Sequence, residues 1–162
     1  MEILNDFNTS VCKALEEIDP KWQSYQGLVV CGTHAPHDTE MIIEKIRQAR
    51  AMGLPALLIC AGHQLGAIQW ARDNGIPDAT SEEYGHVGTC VVRKRPQLKV
   101  GLHEGESWWS NYEVVIEVYE KYMKFLPVHF SSVAFHPEYG SCIGVPHPLL
   151  VRFLNNCRKY GK

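Results

Sequence analysis

The chain reads as an α/β fold of three layers, an open and mostly parallel sheet flanked by helices. Two observations lead there. Apolar runs of strand length, Gln26–Cys31, Leu57–Cys60 and Val128–Phe135, alternate with segments of helical spacing. Glycine and proline breaks at Gly53-Leu54-Pro55 and Gly75-Ile76-Pro77 then end the helical segments. With 162 residues, 45% of them hydrophobic and 21% charged, the chain is long enough for one compact core, expected to be a single domain over 1–162.

Taken in order, Asn8-Thr9-Ser10 followed by Val11, Leu15 and Ile18 predicts a capped amphipathic helix that Pro20 ends. No first strand is recognisable before it. A sheet beginning at Gln26–Cys31 would expose an unpaired edge, so a loop, the N-terminal segment or a second chain is expected to cover it. Thr39–Ala51 reads as a helix with Met41, Ile42, Ile46 and Ala49 inward, and Gly66–Asn74 continues the helix that follows Cys60. Shorter strands are expected at Thr89–Val92 and Leu98–Leu102, joined by a solvated basic loop containing Arg93-Lys94-Arg95. Tyr112–Tyr119 alternates less cleanly, and Glu117–Phe125 reads as a short helix. After the Val128–Phe135 strand, a last helix opens at Pro148 and turns Leu149, Leu150, Phe153 and Leu154 to the core.

Two of these segments carry chemistry. The run Leu57-Leu58-Ile59 ends in Cys60, with Gly62 and a helical pattern just behind it. A strand that delivers a thiol into a sharp turn is expected to leave the sulfur exposed at the positive end of the next helix, the geometry of a nucleophile elbow. Taken alone, Cys60 is better explained as a small apolar residue in a buried strand. The second segment shifts that balance. Val133-Ala134-Phe135 leads into His136-Pro137-Glu138, and strand alternation would put His136 and Glu138 on one face. An imidazole oriented by a carboxylate is the base that a cysteine needs to attack an acyl carbon and then protonate the leaving amine.

Both segments resemble class I glutamine amidotransferase domains, which carry a Gly-Ile-Cys-x-Gly-x-Gln elbow and a Phe-His-Pro-Glu turn, and the likeness is greater to the branch formed by CTP synthase glutaminase domains. Trp70-Ala71-Arg72, Asp78-Ala79-Thr80-Ser81-Glu82-Glu83-Tyr84, Tyr112-Glu113-Val114 and Pro146-His147-Pro148-Leu149 resemble that branch's motifs and follow its order. The resemblance implies a flavodoxin-like arrangement with a shortened N-terminus. It also implies Cys60 as nucleophile, His136 as base and then acid, Glu138 as its partner, and oxyanion amides from Ala61 and from the loop at Gly32 and Thr33. Gln64, Glu83, Tyr112 and Asn111 would bind the substrate, giving glutamate and ammonia through a thioester, with no cofactor.

Two departures accompany the likeness. The family's Pro-Gly-Gly loop is Cys31-Gly32-Thr33 here, and a left-handed backbone at Thr33 would be strained. Asn111 stands before Tyr112 where that branch has an arginine, so a clamp for the glutamine carboxylate is missing, at a typical cost of ~2 kcal/mol. Trp108 and Trp109 could line a pocket for a more apolar amide, although a core role is the simpler expectation for at least one. Three readings therefore stand: a glutaminase, a cysteine-dependent amidase or γ-glutamyl hydrolase acting on another amide, and a degenerate domain that only binds a partner.

The net charge of −2 gives no reason to invoke nucleic acid or a membrane surface. No window approaches the ~18 apolar residues of a membrane span, and a cytoplasmic protein is expected. Six scattered cysteines, Cys12, Cys31, Cys60, Cys90, Cys142 and Cys157, are expected to be reduced. His34 with His37, and His103 with Glu104 and Glu106, have no convincing ligand spacing, so no metal is expected. His34 and His37 read instead as polar loop residues at a pocket mouth. An ammonia acceptor would sit on a separate subunit, and a homo-oligomer is the other partner expectation.

Overall fold

The computed structural model describes residues 1–85, 87–95, 101–103, 106–109, 111–141 and 144–162, with backbone alone for 101–103 and 106–109. The central sheet is four-stranded and wholly parallel. It contains β1 (Glu2–Leu4), β2 (Leu28–Val30), β3 (Ala56–Ile59) and β9 (Phe130–Val133), in the order β1-β2-β3-β9. Helices α1 (Thr9–Ile18), α2 (Thr39–Met52), α3 (Ala61–Asp73), α4 (Ile116–Lys124) and α5 (Pro148–Lys159) flank it.

Strand alternation divides the core into two halves. On one face Leu28, Val30, Ala56, Leu58 and Phe130 pack against Ile42, Ile43 and Ile46 of α2, Leu65 and Ile68 of α3, and Val118 and Tyr122 of α4. On the other, Val29, Cys31, Leu57 and Ile59 meet Val11 and Leu15 of α1 and Leu150, Phe153 and Leu154 of α5. Because both faces of the sheet are covered, β2 and β3 are apolar at every position, and this gives them their continuous hydrophobic runs.

The expected three-layer α/β architecture is the observed one, and the differences from the sequence reading are local. A first strand does exist: Glu2–Leu4 pairs in parallel with Leu28–Val30, so the N-terminal segment covers the edge of β2. Asn8 stands at the start of α1 but makes no side-chain cap, because its Nδ2 donates instead to Asn5 O at 2.9 Å. Arg93 and Lys94 belong to strand β5 (Thr89–Lys94) rather than to a loop. There they lie opposite β8 (Tyr112–Val114), and Arg95 just beyond pairs with Glu113 at 3.0 Å. Strand β4 (Ala79–Ser81) completes that second sheet, and β6 (Gly101–His103) pairs antiparallel with β7 (Glu106–Trp109).

The expected strand at Leu98–Leu102 lies partly outside the described residues, as do Glu104, Cys142 and the side chains of His103, Glu106, Trp108 and Trp109. Among the described residues no helix is long and apolar enough to cross a membrane.

Candidate active site

Strand β3 enters the site between β2 and β9 and ends at Cys60, whose backbone takes φ 53° and ψ −105°. A non-glycine residue held there costs on the order of 1–3 kcal/mol and persists only where its surroundings over-determine it. Here they do. Cys60 N donates to Val133 O at 2.9 Å, and Cys60 O accepts from Gln64 N at 3.1 Å, the first turn of α3. Two residues on, a Cβ at Gly62 would lie 2.2 Å from Val30 O, so only glycine lets the helix start this close to β2. The turn expected from the sequence is therefore present, but the exposed sulfur is not: packing among β2, β9 and α3 leaves Cys60 buried at 9% exposure.

Beside it stands His136. The sequence reading put His136 and Glu138 on one strand face, but β9 stops at Val133 and Pro137–Gly140 forms a 3-10 turn. The two side chains meet through that turn instead, with His136 Nδ1 2.6 Å from Glu138 Oε1. Burial opposes a charge on this ring. Hydrogen bonds to Cys60 and to Glu138, reinforced by their negative charge, outweigh the burial and push His136 up to about 9. Sulfur, imidazole and carboxylate thus come together from two widely separated segments.

The loop after β2 closes the site from another side. A Cβ on Gly32 would meet His136 Cε1 at 2.8 Å and Phe7 Cδ2 at 3.2 Å, so glycine is required there for space. The strain expected at Thr33 is absent, since Thr33 is not among the residues of positive φ. Ala61, the third expected oxyanion residue, is the first residue of α3.

The four expected substrate residues are placed as follows. Gln64 is buried one turn along α3, and its Nε2 donates to Tyr112 O at 3.3 Å. Asn111 O accepts from Arg95 N at 2.7 Å, while its side-chain Oδ1 is buried without a partner among the described residues. Glu83 sits half-buried on the 3-10 turn that follows β4, and burial pushes its carboxyl above the usual carboxylate range. Tyr84, which the sequence reading passed over, is pushed up by burial first and then by the charges of Glu83 and Cys60, which puts it in the same neighbourhood.

His34 packs edge-on against Phe7 beside the loop that follows β2, and His37 is exposed and paired with Asp38. Among the described residues no group of three His, Cys, Asp or Glu side chains could hold a metal.

A second buried imidazole was also missed. His63, on the first turn of α3, bonds Ser132 Oγ through Nδ1 at 2.8 Å, and Ser132 Oγ lies 2.7 Å from the Tyr122 hydroxyl. It faces a cavity of about 610 Å³ that Gln64, Tyr112, Tyr119 and Phe135 also line.

Comparison with known proteins gives the family and the fold. The chain is 40% identical to CTP synthase of Methanoregula boonei over 84% of its own length and 35% of that protein. It is 36% identical to CTP synthase of Methanothrix thermoacetophila, over 86% of the chain and 35% of the relative. Its fold superimposes with a TM-score of 0.74 on the glutaminase domain of Trypanosoma brucei CTPS solved with bound acivicin, at 16% identity and covering 100% of this chain and 96% of that one.

This chain is a glutamine amidotransferase-like domain. It spans about a third of the length of the curated relatives it matches. No family model matches it.

Proposed function

We propose that the domain hydrolyses the side-chain amide of glutamine, with Cys60 as nucleophile. The observation that carries this reading is a strained cysteine at a strand-to-helix turn beside a carboxylate-held imidazole. Likeness to CTP synthase glutaminase domains supports it.

Sγ bonds to the amide carbon with its proton already held on the charged His136 ring, and amides of Gly32, Thr33 and Ala61 receive the oxyanion. Each such donor is typically worth ~3 kcal/mol in the transition state. The C–N bond breaks as His136 gives the proton to the leaving nitrogen, so ammonia departs and a γ-glutamyl thioester remains. Water then loses a proton to His136 and adds to the thioester, and the C–S bond breaks to release glutamate and restore the thiolate. Glu138 keeps the ring oriented and favours its charged form throughout. Gln64, Glu83, Asn111 and Tyr112 are assigned to the amino-acid end of the substrate. The ammonia goes to an acceptor site on a partner domain or subunit.

Two features favour a second reading in which the amide is larger than glutamine. Asn111 rather than an arginine stands before Tyr112, and a cavity lined by Gln64 and Tyr112, although not by Cys60 or His136, adjoins these expected substrate residues. A γ-glutamyl amide with an apolar substituent would use that space.

The test is to incubate the protein with glutamine, quench in acid and measure both ammonia and the mass of the Cys60 peptide. We expect ammonia release and a glutamyl adduct on Cys60, with both lost in Cys60→Ala. Ammonia release that survives the substitution would refute the assignment.

A further inference from the structure

The N-terminal segment does more than supply β1. Its next residues grip the loop between β2 and α2 at consecutive positions. Leu4 O accepts from Cys31 N at 3.0 Å, Asn5 Nδ2 donates to Cys31 O at 2.9 Å, and Phe7 N donates to Gly32 O at 3.2 Å. The Thr33 side chain, on the same loop, holds the Asp6 carboxyl below the usual carboxylate range. Asn5 takes φ 72° to make this reach, a conformation that asparagine tolerates better than most residues.

Peptide planarity gives these bonds a consequence. The Cys31 carbonyl shares a rigid plane with the Gly32 N–H, and the Gly32 carbonyl shares one with the Thr33 N–H. In each trans plane the carbonyl and the N–H point in opposite directions. Tying both carbonyls to the N-terminal segment therefore turns both N–H groups away from it. Neither amide has a protein partner among the described residues. Gly32 itself lies between Phe7 and His136, so the turned amides belong to the wall of the Cys60 site.

We propose that Leu4–Phe7 is a strap that aims the oxyanion amides, with Asn5 and Asp6 as positioning residues. The inference rests on the reading of Gly32 and Thr33 as oxyanion donors. It also accounts for Thr33 itself: its hydroxyl gives Asp6 a handle that glycine lacks. Small misplacements of such donors are costly, since removing one outright typically lowers turnover ~10²–10³-fold.

Two reagents separate aim from reactivity at Cys60. With p-nitrophenyl acetate the S–C bond forms through an oxyanion and p-nitrophenolate leaves. With iodoacetamide the S–C bond forms as iodide departs, with no oxyanion. Asn5→Gly keeps the left-handed backbone while removing Nδ2, and Asp6→Ala removes the acceptor.

We expect the double variant to be acylated by the ester about tenfold more slowly, with alkylation by iodoacetamide unchanged within about twofold. Asn5→Gly alone should give a smaller loss of the same kind, and Asp6→Asn, which keeps an acceptor oxygen, should restore most of the acylation rate. Equal acylation of wild type and variant overturns the proposal, as does a parallel fall in both reactions or a wild type that the ester acylates no faster than Cys60→Ala. This readout is independent of glutamine: a clean split without ammonia release sinks the proposed substrate and leaves the strap standing, whereas ammonia release without the split does the reverse.

Discussion

His63 and His136 are both buried near the carboxyl end of the central sheet, at 2% and 6% exposure, yet the protein holds them in different charge states. Around His63 the near partners are neutral, Ser132 Oγ with Tyr122 behind it, and burial lowers its pKa to about 4. Around His136 burial pulls the same way, but Cys60 and Glu138 reverse it, to about 9. Burial alone keeps the His63 ring neutral, and at His136 the Glu138 carboxylate overrides it.

The strongest way to break that contrast is Glu138→Gln, which keeps an acceptor for Nδ1 and deletes the charge. Glutamine hydrolysis should fall ~10²-fold or more, because the ring loses both the charge that favours its protonated form and part of its orientation. The pH profile should move as well. Protonated His136 delivers the leaving-group proton, so wild-type activity should persist through neutrality and decline as pH rises through about 9, whereas the variant should decline at lower pH. Unchanged activity and an unchanged upper limb would remove Glu138 from the mechanism.

A smaller effect tests the neutral partner. The folded-state pKa of His63 is depressed from 6.5 to about 4, so protons bind the unfolded chain first as pH falls. The stability this group contributes is present above pH 6.5 and drains away on acidification towards pH 4. A shift of that size corresponds to about 3 kcal/mol. Urea melts of wild type and His63→Leu at pH 7 and at pH 4.5 should show the wild type losing more on acidification. Parallel losses would mean that His63 titrates normally in the folded protein.

The same contrast explains what could be read from residues alone. Cys60 was legible because an elbow needs an apolar strand, a small residue two positions on and a helix, all within eight consecutive residues. His136 and Glu138 were legible as a pair, although by the wrong geometry, since a 3-10 turn rather than a strand brings them together. The His63–Ser132–Tyr122 chain was invisible because each member looks like an ordinary polar residue until three elements pack around it.

Strand β1 was missed for a related reason: three residues show no period, and their partner, Leu28–Val30, lies far along the chain. Thr33 misled in the opposite direction. The substitution suggested backbone strain, but the glycine that matters is Gly32, and it matters for space beside His136. The fold class, carried by repeated long-period signals, survived all of these local errors.

The most direct test of the reactive cluster is two-dimensional proton–nitrogen NMR of the imidazole nitrogens across pH, with Glu138→Gln for assignment and contrast. The account predicts one ring, His136, charged at neutral pH and titrating near 9, and a second, His63, still neutral as pH falls towards 4. A His136 ring that is neutral at pH 7, or one that titrates alike in wild type and variant, would contradict it.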